Sequence, residues 1–299
     1  MTPTKKHQPL SDQQISDLTK RGCQCDDWSA VEVAEGFQTS RVRNATFSGR
    51  VRLGANAGVI AIDAGLQKQC GIYNAHIHNC TIDDDTRIAN IGQHLANYYI
   101  GPGVCIENVG TLETLPEATF GNGIEVEALN EGGGREVILF DMLDSQFAHL
   151  MCLHRYRPKF IDKLQAIAQA EAAKVGSYRG TIEAESRIAN VGEIVDVRVG
   201  RCAAINGAAR LTNGTVLSSE EAATTIGADV QAEDFIIAEG SVVTGGAMLS
   251  STTSAKAVAS TSSSPARVRC FLQIAKDYTA KRAACWRALI RSPITSPRC

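Results

Sequence analysis

The 299-residue chain is 44% hydrophobic but only 5% aromatic, which allows a sizeable core of aliphatic side chains. The formal charge of −2 conceals a split: residues 1–248 hold 21 Lys or Arg against 31 Asp or Glu, whereas residues 249–299 hold nine basic residues and one acid, Asp277. An acidic body excludes a phosphate-tracking nucleic-acid surface, and without a run of 18 apolar residues no helical membrane span is expected.

The opening segment, MTPTKKHQPLSDQQ, lacks the apolar stretch of a signal peptide. Ten cysteines without paired C-x-x-C knuckles (Cys23 and Cys25 form a lone C-x-C) read as reduced thiols in a cytoplasmic protein. Residues 1–29 are expected to form a helical cap. Ser11 and Gln14 make a capping box, Ile15 and Leu18 share a face, and Gly22 stops the helix.

From residue 30 a different rhythm takes over. Ile72, Ile77, Ile82, Ile88, Leu95, Ile100 and Ile106 are separated by five to seven residues, too long for alternating strands and out of step with a helix. A shift of 18 superposes Ile77 on Leu95, Ile82 on Ile100 and Ile88 on Ile106. Three such steps close one triangular coil, and coils stacked about 4.8 Å apart can hydrogen-bond to those above and below. The guiding aliphatic points inward, and a small residue four positions on (Thr86, Val104, Ser186, Val230) can do the same. Asn44, Asn74, Asn79, Asn90, Asn97, Asn108 and Asn190 each follow an aliphatic by two, where a corner needs left-handed backbone.

TIDDDTRIANIG at 81–92 returns as TIEAESRIANVG at 181–192. The kept letters are aliphatic, Asn and Gly, so the phrase is a coil and not a repeated active site. Asp83, Asp84 and Asp85 read as a solvated corner. Coils are expected over 30–143 and again over 179–248. Residues 144–178 carry a helical period (Phe147, Leu150, Met151; then Phe160, Ile161, Leu164, Ile167) broken by Pro158, hence two helices in an inserted arm. That arm packs on the coils or reaches a neighbouring subunit. NEGGGREV at 130–137 lacks the Lys-Ser/Thr of a P-loop and reads as a tight exit from the coils or a ligand loop. The basic tail, 249–299, loses the rhythm and is expected to be disordered or frameshifted. A two-nucleotide shift of a back-translation of CWRALIRSPIT gives LAGPYSVTHH.

I-DDD-T-R-I (82–88) and I-GPG-V-C-I (100–106) resemble the hexapeptide repeat of left-handed β-helix proteins, among them acyltransferases and domains of sugar nucleotidyltransferases. GCQCDDWSAVEV (22–33), GIYNAHIHNCTI (71–82), ENVGTLE (107–113), FGNGIEVEALNEGGGREV (120–137) and AEDFIIAEGSVV (232–243) are similar to large bacterial hexapeptide-repeat proteins of unknown function. The resemblance covers residues 10 to 248. It implies an all-β-dominated left-handed parallel β-helix, a homotrimer, and a chain truncated after about residue 248. It also implies acyl transfer to a sugar or sugar-nucleotide, with acyl-CoA or a nucleotide-sugar as ligand; the alternative is a non-catalytic scaffold, a binding module or an inactive truncated form. Gln93 and His94 depart from the family's pattern, which has an Asn-Tyr-like pair there.

In such acyltransferases a histidine in the groove between subunits serves as general base. The candidates here are His78 and His94, with His76 one coil from His94; the alternative is corner histidines without catalytic duty. A metal held by His76, His78 and His94 lacks a carboxylate or Cys at suitable spacing, and no metal is expected.

Overall fold

The structure, a computed structural model, describes residues 7–62, 65–127, 134–254, 258–259 and 267–269. The chain is mostly β: among the described residues 21 strands join one large mixed sheet, and two separate strand pairs stand outside it. Pairing within it is parallel, except that the first strand, His7–Pro9, runs antiparallel to Val31–Ala34.

Register explains the six-residue step. Three columns of aliphatic side chains run through the sheet, and the chain visits them in turn. In the first, Val42, Ile72, Ile88, Ile106, Ile188, Ile205, Ile226 and Val243 are successive partners. The second stacks Phe47, Ile77, Leu95, Leu112, Ile194, Leu211, Ala232 and Leu249. The third stacks Leu53, Ile82, Ile100, Ile182, Val199, Val216 and Ile237. None of these residues is more than 5% exposed. Each large aliphatic so buried stabilises the fold by about 1.5–3 kcal/mol. Thr86 and Ser186 also point inward, and their hydroxyls donate to the carbonyls of Asp83 and Gly200, both at 2.8 Å.

Corners are made where the sequence placed them. All seven asparagines noted above have φ between 50° and 58°. Along the first column their amides form a continuous chain, Asn44 to Asn74 to Asn90 to Asn108 to Asn190 to Asn206, each Nδ2 donating to the next Oδ1 at 2.9–3.1 Å. Helix α1 (Asp12–Lys20) begins with the expected Ser11–Gln14 capping box and buries Leu18 completely.

Two excursions leave the columns. Between the third and first columns the described residues of 54–70 leave the large sheet, and Val59–Ala61 pairs antiparallel with Gln67–Gln69. This corrects the solvated-corner reading of the Asp triplet: Asp84 Oδ1 accepts from Ala55 N at 2.8 Å and Asp85 Oδ1 from Gly58 N at 2.7 Å. Asp83 accepts the Tyr99 hydroxyl. Asp84 and Asp85 therefore dock the excursion's entry segment, and the second copy, with no excursion beside it, has Glu-Ala-Glu there.

The second excursion starts after the strand Cys105–Glu113, earlier than the boundary at 143. It contains the hairpin Glu125–Glu127 with Glu136–Ile138, helix α2 (Ser145–Leu153) and helix α3 (Pro158–Ala173). Asp144 caps α2 by accepting from Phe147 N at 2.7 Å, and Pro158 opens α3. Val126, Val137, Leu139, Met151, Ile161 and Leu164 pack around Ile236 and Leu217, so the arm lies on its own sheet. Of the Gly-rich segment, residues 130–133 lie outside the described residues.

Past Met248 the ladders continue in register: Met248, Leu249 and Ser250 pair with Arg267, Val268 and Arg269, and Val242 with Val258. The end of the fold expected at residue 248 is therefore moved outward. The segment read as a shifted frame, 285–295, lies outside the described residues. Among the described residues no helix is long and apolar enough to cross a membrane.

Candidate functional site

Because Phe47, Ile77, Leu95 and Leu112 point inward, the residues flanking them project outward, as strand pleating requires. The second column therefore presents Ser48, His76, His78, His94 and Glu113 on one face. Pairing of Ile77 with Leu95 sets His76 and His94 beside the same column on consecutive coils, as their spacing of 18 implied. His78 lies on the other side of that column, opposite Ala96, and Ala96 pairs in turn with Glu113.

His78 is held at both ring nitrogens. Ser48 Oγ lies 2.9 Å from Nδ1 and Asn79 Nδ2 lies 2.8 Å from Nε2. The Asn79 orientation is fixed independently, because its Oδ1 accepts from Arg50 N at 3.0 Å. The amide must then donate to Nε2, so the neutral ring carries its proton on Nδ1 and donates it to Ser48. Ser48 Oγ is also 3.4 Å from His76 Nε2, which can accept its hydroxyl proton. This packing depends on Gly49, where a Cβ would stand 2.1 Å from Asn79 Oδ1.

His94 is arranged differently. Its Nε2 lies 2.9 Å from Glu113 Oε2, with both side chains about one-third exposed or less. Nε2–H donates to the carboxylate, which leaves the Nδ1 lone pair for another partner. Near Glu113, the Asp196 carboxyl is pushed above its ordinary range, first by burial and also by the Glu113 charge, although Asp196 Oδ1 accepts from Leu115 N at 2.7 Å. Arg179, where the chain returns from the arm, donates to Asn79 O at 2.9 Å and Thr81 Oγ1 at 3.0 Å. The arm's exit is thus pinned to the corner that holds His78.

The face brings His76, His78 and His94 onto neighbouring coils; Ser48 stands between His76 and His78 while His94 pairs with Glu113, and among the described residues no three His, Cys, Asp or Glu side chains converge as a metal site. Ser48 and Glu113 escaped the sequence reading. Glu113 follows His94 by 19, one 17-residue coil plus two residues, which sets it on the same outward side of the strand, a signal available from the period. Ser48 precedes His78 by 30, and the 54–70 excursion hides that register.

A family model described as "Domain of unknown function (DUF4954)" matches residues 7–279. An uncharacterized protein of Treponema pallidum (strain Nichols) is 30% identical over 249 residues, which are 80% of this chain and 34% of that protein. The chain thus spans about a third of its relative's length. These matches overturn the assignment to a hexapeptide-repeat, acyltransferase-like family and the truncation placed after residue 248, since the match runs on through residue 279. The physical reason is that a six-residue aliphatic step reports how a chain coils, which unrelated families share. The chain belongs to the DUF4954 family, matched over residues 7–279.

Proposed function

We propose that the chain is a left-handed parallel β-helix that assembles as a homotrimer and transfers an acyl group to a sugar or sugar-nucleotide acceptor. His94 is its general base. Three columns visited in rotation by short parallel strands support the helical reading. The observation that carries the chemistry is the 2.9 Å contact between His94 Nε2 and Glu113 Oε2. A carboxylate that holds one imidazole nitrogen orients the ring and favours the cation formed when the other nitrogen accepts a proton from an attacking hydroxyl or amine. His78, with its Nε2 lone pair committed to Asn79, is a positioning residue in this scheme.

A non-catalytic scaffold or binding module is the second reading. The observation favouring it is the internal satisfaction of His78, a histidine used as a corner bracket. Turnover is measured with acetyl-CoA and a panel of nucleotide-sugars, chosen by thermal shift on the full chain. His94→Ala is expected to lower kcat by about 10²–10⁴-fold with assembly unchanged, and His78→Ala to do less. If no panel member stabilises the chain and none is turned over, the scaffold reading replaces the enzyme.

A further inference from the structure

Ser48 holds a place on the second-column face that the His94 scheme does not use. It ends the strand Val42–Ser48, pairs with His78 across the ladder and lies two positions along from Thr46, the partner of His76. Register therefore sets one hydroxyl between two imidazoles, 2.9 Å from His78 Nδ1 and 3.4 Å from His76 Nε2. Gly49, the next residue, has φ 61°, and a Cβ there would stand 3.2 Å from His78 Cε1, so the glycine keeps that ring seated against the serine.

The two imidazoles have opposite roles. Asn79 Nδ2 donates to His78 Nε2, so the His78 proton lies on Nδ1 and is donated to Ser48 Oγ. Ser48 thus cannot pass its own proton to the nearer ring, whereas His76 Nε2 can accept it. Of the two lone pairs on Oγ, His78 occupies one and the other is available for attack. His76 is exposed and Ser48 half-buried, so a substrate can reach both. The 3.4 Å contact is long, as catalytic hydrogen bonds often are before substrate binds. Two neutral imidazoles move a proton without supplying the fixed positive charge that a phosphoryl group needs, so a carbonyl carbon is the matching electrophile.

We infer that Ser48 is a nucleophile toward short-chain carboxylic esters, with His76 as its general base, which gives the protein an esterase activity through an acyl-serine. Ser48 Oγ bonds to the carbonyl carbon as its proton passes to His76 Nε2. Collapse of the tetrahedral adduct breaks the bond to the leaving oxygen, which takes that proton and departs as an alcohol or phenol. Water then attacks the acyl-serine with His76 again as base, releasing the carboxylic acid and restoring Ser48. His78 is a positioning residue that holds Oγ in place. Neither His94 nor an acyl-CoA takes part, so this activity stands or falls separately from acyl transfer to a sugar.

Incubation of the full chain with p-nitrophenyl acetate, followed by peptide mass spectrometry, tests this. An acetyl ester is expected on Ser48, lost again once the reagent is removed. Ser48→Ala abolishes that label, and His76→Gln slows its appearance by about 10²–10⁴-fold. Ser48→Cys restores labelling at the same position, as a thioester that hydroxylamine cleaves. Because His76 is exposed, its variant stays informative if Ser48→Ala disturbs the strand end. Acetyl groups confined to lysines and cysteines, or Ser48 labelled at the same rate in wild type and His76→Gln, would overturn the inference and leave Ser48 as a bracket for two histidines.

Discussion

Asn90 has φ 57°, and its amide accepts from Asn74 and donates to Asn108. Two properties are required at once: tolerance of left-handed backbone and a side chain that is both donor and acceptor. Asn90→Ala keeps neither and is expected to cost about 1–2 kcal/mol in urea unfolding. Asn90→Gly keeps the backbone freedom and should cost clearly less. Equal losses would show that the amide chain alone matters. This corner was legible in the sequence because the requirement falls on a residue type at a fixed distance from an aliphatic. The Ser48–His78–Asn79 and His94–Glu113 contacts were not, since each joins different coils and depends on register that single residues do not announce.

Among the elements, the arm tests how sequence period maps onto packing. Its helices were readable from Phe147, Leu150, Met151 and the run after Pro158, but their docking was not. The receiving residues, Ile236 and Leu217, lie beside third-column positions Ile237 and Val216 and in the sequence look like ordinary strand residues. Ile236 is 2% exposed. Ile236→Ala leaves a cavity under α2 and α3 costing about 2–5 kcal/mol, felt first by the arm. Hydrogen exchange should then show faster exchange in Ser145–Leu153 and Pro158–Ala173, with the strand Arg187–Val199 still protected. Unchanged arm protection would mean that the helices are held elsewhere. The 54–70 hairpin was invisible for a related reason: its strands have three residues each, and the carboxylates that dock its entry belong to the next coil.

Across the whole molecule, a core of three aliphatic columns leaves the outward faces free to differ. The first carries the Lys68–Glu107–Arg87 cluster, the second the histidines, and the third is covered over its later coils by the arm. The rhythm of the core was readable because it repeats; the faces were not, because each is used once. The same contrast explains the family correction, since the period describes the core and says little of descent. In the proposed function the histidine face divides its labour, His94 with a lone pair available at Nδ1 and His78 with its lone pair bound at Nε2. Imidazole nitrogen NMR on the full chain, with both rings neutral, reads this directly. The prediction is a proton on Nε2 of His94 and on Nδ1 of His78, with Glu113→Gln altering the first and Asn79→Ala the second. A proton on Nδ1 of His94, or on Nε2 of His78, would contradict it.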